Sequence, residues 1–369
     1  MKKILIISTV SRQFYLFETG NIEVLNSLNI QVHGAANFKD KNERLDTVNI
    51  IRHHIDIERS PFSFRNFKAY FQLKKLMKNE KFDAVHCHSP MGGVLGRLAA
   101  KTTGIKTIIY TAHGFHFFKG ATIKNWVLYY STEKLLSSLT DVLITINKED
   151  YIRANKFHAK KVVYVPGVGI DTKRMMNSRF ESEKLKRSLG IDEDTVIILS
   201  IGELIIRKNH VTALKSLADV KDSFIFLICG VGELEKKLKH LAEELELQDK
   251  VKFLGFRNDI PELCNIADIF FFPSFQEGLP VSLMEAMAAG LPVVCSKIRG
   301  NVDLIEDGKG GFLNSPKDII GFSESINKLF TDITLRTKMG AYNKQRINSF
   351  DKESIKKRMF EIYSSLDNK

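Results

Sequence analysis

Short apolar runs alternate with amphipathic stretches along most of the 369-residue chain. Runs at 3–8, 30–34, 47–51, 83–87, 106–111, 141–146 and 161–165 read as strands, and segments with helical spacing at 14–28, 62–78, 92–103, 123–139 and 148–155 mostly separate them. Such alternation predicts a parallel sheet covered on both faces, with ligands at the carboxyl ends of the strands. A turn-rich segment, Pro166-Gly167-Val168-Gly169-Ile170-Asp171, interrupts the pattern, and a second alternation follows with strands near 196–200, 224–229, 251–254, 269–272 and 293–295. We therefore expect an α/β fold with a first domain at 1–166 and a second at 167–350, their strand ends facing each other across a cleft. The tail, 351–369, carries Ile355, Met359, Ile362, Tyr363 and Leu366 at helical spacing.

Length and composition agree with two domains of ordinary size, and 44% apolar residues is globular. No apolar run approaches the roughly 18 residues of a spanning helix. The opening Met1-Lys2-Lys3-Ile4-Leu5-Ile6-Ile7 has the charge and hydropathy of a short leader, but Arg12 follows without a cleavage pattern, so a first strand is expected. Cys87, Cys229, Cys264 and Cys295 are scattered and form no C-x-x-C pair, which predicts reduced thiols in a cytoplasmic protein, with neither zinc nor disulfides. The net charge of +12 suits an anionic substrate, an anionic lipid surface or nucleic acid, or simply a solvated lysine-rich surface. No nucleic-acid signature, internal repeat or low-complexity tract accompanies it.

The most informative stretch is 273–290, Pro-Ser-Phe-Gln-Glu-Gly-Leu-Pro-Val-Ser-Leu-Met-Glu-Ala-Met-Ala-Ala-Gly. Pro273 ends a buried strand, Pro280 suits the first turn of a helix, and Gly290 suits its end. The helix start near Gly278, Leu279 and Pro280 is then a ready anion site, because its amides lack partners and its dipole is positive. Glu277 and Glu285 need another explanation, since carboxylates repel a bound diphosphate unless they reach past it to sugar hydroxyls. Two sugars with a diphosphate between them describe a nucleotide sugar.

Glu277 and Glu285, in this setting, resemble the E-x7-E motif of glycosyltransferase family 4, retaining enzymes of the GT-B fold. The resemblance spans nearly the whole chain. It implies two Rossmann-like domains facing across a deep cleft, with the C-terminal helix crossing back to the first. It also implies transfer of a hexose or N-acetylhexosamine from a nucleotide diphosphate sugar, expected to be UDP-linked, to a hydroxyl of a glycan or a polyprenyl diphosphate-linked saccharide. The segment 110–118 is most similar to members that build capsule, exopolysaccharide or lipid-linked oligosaccharide. No cofactor or metal is expected; Asp192-Glu193-Asp194 spells D-x-D but falls in a turn between helix and strand.

By the same resemblance, Gly202, Arg207 and Lys208 belong to a donor-phosphate loop, although Glu203 stands where many relatives have arginine. Phe256 and Arg257 match the loop that reads the nucleobase, Glu277 the holder of the transferred sugar, and Glu285 the ribose ligand. His113, before Gly114, matches the family histidine of the first domain, with His116 as its competitor. Thr9, Ser11 and Arg12 occupy the first turn, where relatives often carry glycines and this chain has none. His86 and His88 share one strand face; a ligand-lining or capping role is favoured there over a metal.

Segment 62–78 combines Phe64, Phe67, Tyr70, Phe71, Leu73 and Met77 with Arg65, Lys68, Lys74, Lys75 and Lys78. Either it lies on an anionic membrane at the inner face of the plasma membrane, or it packs onto the sheet with its lysines solvated. Two other functions fit the same features: a UDP-N-acetylglucosamine 2-epimerase-like enzyme of the same architecture, and a non-catalytic anion-binding protein.

Overall fold

The computed structural model describes residues 1–40, 42–176, 182–220 and 223–365. The chain divides into two compact units, one of Met1–Gly169 with Lys352–Lys369 and the other of Ile170–Asp351.

In the first unit, β1 (Lys3–Val10), β2 (Gln31–Asn37), β3 (Ile51–His54), β4 (Ala84–His88), β5 (Thr107–Ala112), β6 (Val142–Thr145) and β7 (Lys161–Tyr164) form one sheet in the order β3-β2-β1-β4-β5-β6-β7. Every pairing is parallel. The unbroken apolar run of β1 follows from burial on both faces: Leu5 and Ile7 join the core under helices Arg65–Glu80 and Pro90–Thr103. Ile4 and Ile6 join the opposite core with Ile22 and Leu25. The C-terminal helix, Lys352–Ser364, closes that second face through Ile355, Met359, Ile362 and Tyr363. Lys352 and Lys356 there reach Glu23 at 3.0 and 2.9 Å. Leu366, expected to continue the stripe, lies outside the described residues.

In the second unit, β8 (Val196–Ile201), β9 (Phe224–Cys229), β10 (Val251–Gly255), β11 (Ile269–Phe272), β12 (Val293–Ser296) and β13 (Gly311–Asn314) run in the order β10-β9-β8-β11-β12-β13, again all parallel. Strand order reverses beside β1 and beside β8, and loops diverge there to leave room for ligands.

Four elements differ from expectation. The helix at 14–28 is two, Arg12–Leu16 and Thr19–Ser27, because Glu18 between them is wholly buried and bonded by side chains on both sides of it. The third strand is Ile51–His54 and not 47–51: Val48 and Ile50 pack inward from a turn, while the polar Arg52-His53-His54 supply the ladder of an exposed edge. The helix over 123–139 widens into a π turn at Trp126–Tyr130 and ends at Ser137. Strand β13, four residues long and entered from glycines, was not anticipated.

Tyr363 Oη lies 2.8 Å from His86 Nδ1, tying the C-terminal helix to β4 through a wholly buried pair. Tyr363→Phe leaves that nitrogen unpaired and is expected to lower stability by about 1–3 kcal/mol, measured by urea denaturation.

Candidate functional site

The backbone between β11 and helix Val281–Ala289 forms the expected turn. Pro280 caps the helix in extended conformation, and Gly290 ends it at φ 86°. Among the described residues, the amides of Gly278, Leu279, Val281 and Ser282 find no acceptor in the protein. The turn is buttressed from behind: Arg299 Nε donates to the Glu277 carbonyl at 3.2 Å, and a Cβ on Gly300, at φ 82°, would lie 2.4 Å from the Gly278 oxygen. Four amides without partners beside the positive end of a helix dipole favour an anion.

The Glu277 side chain is buried, and its Oε1 accepts from Arg207 Nη1 at 3.0 Å and Lys208 Nζ at 2.8 Å. Both cations come from the turn after β8. Asn209, in left-handed conformation at φ 58°, fixes that turn by donating to the carbonyls of Pro273 and Pro316, each at 2.8 Å. Lys208 Nζ also sits 4.7 Å from the centre of the Phe272 ring, and its aliphatic chain lies over Gly202. Glu203 approaches Arg207 to 4.0 Å. The Glu277 carboxylate thus holds both cations next to the open amides.

Glu285 lies one turn into the helix, half-buried, with no hydrogen bond or ion pair among the described residues. Burial pushes its carboxyl up to about 7, against a smaller lowering by Arg174. Arg257 is paired with Asp259, which keeps its guanidinium beside β10, while Phe256 is 68% exposed.

In the first unit, the Thr9 hydroxyl is engaged with Ser89 Oγ at 2.6 Å, Ser11 is buried at a helix start, and Arg12 is exposed. His116 stacks on Tyr129, ring centres 4.6 Å apart. His113 meets His88, Nε2 to Nδ1, at 3.0 Å, and His88 meets the buried carboxylate of Glu18 at 3.2 Å. Glu18 and Gln13, which donates to it at 2.8 Å, were not singled out in the sequence. The available signal was an acidic residue breaking the apolar spacing of 14–28.

Residues 181–346 match the family described as glycosyl transferases group 1, and residues 3–147 match a glycosyl transferase 4-like domain. The chain is also 38% identical over 373 residues to a Bacillus subtilis protein named as a glycosyltransferase, EpsD, covering 99% of this chain and 97% of that one. The chain therefore belongs to the group 1, family 4-like glycosyltransferases. A second relative is the UDP-Gal:alpha-D-GlcNAc-diphosphoundecaprenol alpha-1,3-galactosyltransferase of Escherichia coli, 30% identical over 297 residues, 78% of this chain and 76% of that enzyme. Among solved structures, Anabaena HepE in complex with UDP and glucose superposes with a TM-score of 0.82 over 99% of this chain and all of that one, at 20% identity. That likeness establishes the GT-B fold.

Because the folded protein holds the Glu285 carboxyl near 7, above its ordinary 4.5, the neutral form is the one favoured by folding. The stability tied to this group is full below about 4.5 and is lost as pH rises through about 7. Glu285→Gln is thus expected to be more stable than the parent at pH 8, by on the order of 2 kcal/mol, with the gap closing toward pH 4.5; denaturant midpoints at the two pH values check it.

Proposed function

We propose that the protein is a retaining glycosyltransferase that moves a hexose or N-acetylhexosamine from a UDP-sugar to a hydroxyl of a glycan or lipid-linked saccharide in surface polysaccharide assembly. The observation that carries this reading is the convergence of four unpaired amides, Arg207 and Lys208 around Glu277. In this reading the amides, with Gly202, Arg207 and Lys208, hold the diphosphate. Glu277 then exchanges its ion pairs for hydroxyls of the transferred sugar, and Glu285 takes those of the ribose. Phe256 and Arg257 border the base.

During transfer the bond between the sugar's anomeric carbon and the phosphate oxygen breaks, and the acceptor oxygen bonds to the same face of that carbon. The acceptor's proton passes to the departing phosphate oxygen, and UDP leaves. Positive charge from Arg207, Lys208 and the helix start stabilises the leaving diphosphate, so the reaction runs without a metal. Thr9, Ser11, Arg12, His88 and His116 are the acceptor-side candidates of the first unit, with His113 as a catalytic partner. Support for donor and acceptor class comes from the Escherichia coli relative, whose name specifies UDP-Gal and a diphosphoundecaprenol-linked sugar.

The same reading includes work at the cytoplasmic face of an anionic membrane. Among the described residues no helix is long and apolar enough to cross a membrane. Helix Arg65–Glu80 instead has two faces: Ala69, Leu73 and Met77 are buried, while Phe64, Phe67 and Phe71 are exposed, with Phe62 just before them. Exposed aromatics among Arg65, Lys74, Lys75 and Lys78 suit an anionic bilayer surface.

Three measurements test the proposal. In a thermal-shift panel of UDP-, GDP- and ADP-sugars, a UDP-sugar is expected to raise the melting temperature, and Glu277→Ala is expected to abolish transfer while remaining folded; turnover by that variant would remove Glu277 from the mechanism. Replacing Phe64, Phe67 and Phe71 together by serine is expected to abolish co-sedimentation with phosphatidylglycerol vesicles without changing the fold; undiminished co-sedimentation would exclude this face.

A further inference from the structure

His113 follows the carboxyl end of β5, and its Nδ1 has no partner in the protein among the described residues, whereas its Nε2 points inward. What faces that inner nitrogen determines what the outer one can do. Behind it, Glu18 is completely buried. Its Oε2 accepts from Asn21 Nδ2 at 2.7 Å and its Oε1 from Gln13 Nε2 at 2.8 Å, so both oxygens act as acceptors and the Gln13 amide must present its NH2 group. His88 Nδ1 lies 3.2 Å from the same Oε1. A carboxylate oxygen that close favours a proton on Nδ1 over a bare lone pair, and the hydrogen bond made by that nitrogen is directed at His113, so His88 Nδ1 carries a proton. His88 Nε2, buried without any partner, is then the bare nitrogen, which is less costly than an orphaned N–H.

The protons of His88 Nδ1, at 3.0 Å, and of Gln13 Nε2, at 3.3 Å, both point at His113 Nε2. Two donors aimed at one nitrogen require its lone pair. The ring's own proton is therefore on Nδ1, the side that faces out. Burial, which lowers the proton affinity of both histidines, agrees with neutral rings.

We infer that Gln13, Glu18 and His88 are positioning residues that lock His113 as a neutral imidazole with its proton on Nδ1, making it a hydrogen-bond donor to a saccharide or phosphate oxygen and not a general base. The role toward substrate rests on the glycosyl transfer proposed above; the tautomer does not. One atom each from Glu18, His88 and His113 also falls within 4.8 Å of the others, close enough for a cation. The lone pair of His113 Nε2 that such an ion would need is already taken by the protons of His88 Nδ1 and Gln13 Nε2, and an amide proton sits on each Glu18 oxygen.

The experiment is long-range proton–nitrogen NMR on protein labelled with 15N-histidine, with the His113 signals identified by their loss in His113→Asn. From pH 6 to 8.5 the ring is expected to show a protonated Nδ1 and a bare Nε2; a protonated Nε2, or an imidazolium across that range, would overturn the inference. Glu18→Gln and Gln13→Leu are expected to mix the tautomers and to lower kcat about tenfold with KM for the nucleotide sugar little changed. If Glu18→Gln does not fold, Gln13→Leu carries the same comparison, and an unmixed tautomer in it would overturn the role given to these residues. A visible cobalt(II) band that disappears in His88→Asn would show a cation in the cluster and would likewise overturn the assignment. The NMR readout needs no substrate. A locked tautomer in a protein without transferase activity would count against the proposed function alone, and a mixed tautomer in an active enzyme against this inference alone.

Discussion

Every strand in both sheets is parallel, and that single constraint sets where chemistry can occur. A parallel ladder must be covered on both faces, so the central strands are largely apolar, and polar side chains collect at the strand ends and along the exposed edge strand β3. All the turns from strand to helix leave from one of these ends. Thr9 is the penultimate residue of β1, His88 closes β4, His113 follows β5, Lys208 follows β8, Arg257 follows β10 and Glu277 follows β11. Residues far apart in sequence reach the same edge within each unit because the topology sends them there.

Within the second unit, the electrostatics of Glu277 decide the character of that edge. A buried carboxylate costs several kcal/mol unless it is paired and hydrogen-bonded, and here Arg207 and Lys208 supply both kinds of compensation. The carboxylate in turn keeps two cations in place next to amides that are open to a ligand. An anion at this turn would meet donors already oriented, and Gly300 and Arg299 back the turn from behind. Preorganised donors of this kind stabilise charge without a reorganisation cost at the moment of reaction.

Much of this was legible in the order of residues. Punctuation by Pro273, Pro280 and Gly290 delimits a helix whose start is observed one residue after Pro280, and alternating apolar runs predict two parallel sheets. Elements with ambiguous hydropathy were harder to read. Ile51–His54 is an exposed edge strand, and edges need no apolar run, so hydropathy favoured the neighbouring Val48 and Ile50. The split of Phe64, Phe67 and Phe71 from Leu73 and Met77 depends on which side of the helix meets the sheet, and a continuous aromatic stripe conceals that. The partnership of Glu277 with Arg207 and Lys208 bridges about seventy residues, beyond any local pattern. Glu18 was hidden for the opposite reason: a lone acidic residue in an amphipathic segment ordinarily marks a solvated face.

The pair His86 and His88 shows how small a difference separates structure from chemistry. Spaced by two on β4, both rings project from one face of the sheet and sit 4.1 Å apart, centre to centre. At that distance in a buried setting two imidazolium ions repel strongly, and burial together with the neighbouring rings holds both well below their ordinary proton affinity. Their partners then divide them. His86 is saturated by Tyr363 and Thr111, each at 2.8 Å, hydroxyls that donate or accept as required, so it serves the fold. His88 lies against a carboxylate, which only accepts, and that asymmetry passes a defined proton arrangement on to His113. A sheet built only for burial has no use for Glu18 at this point, since an apolar side chain there would spare the cost of a buried charge. The carboxylate is explained by the direction it imposes on the hydrogen bonds leading to the one histidine of the three with a nitrogen turned outward.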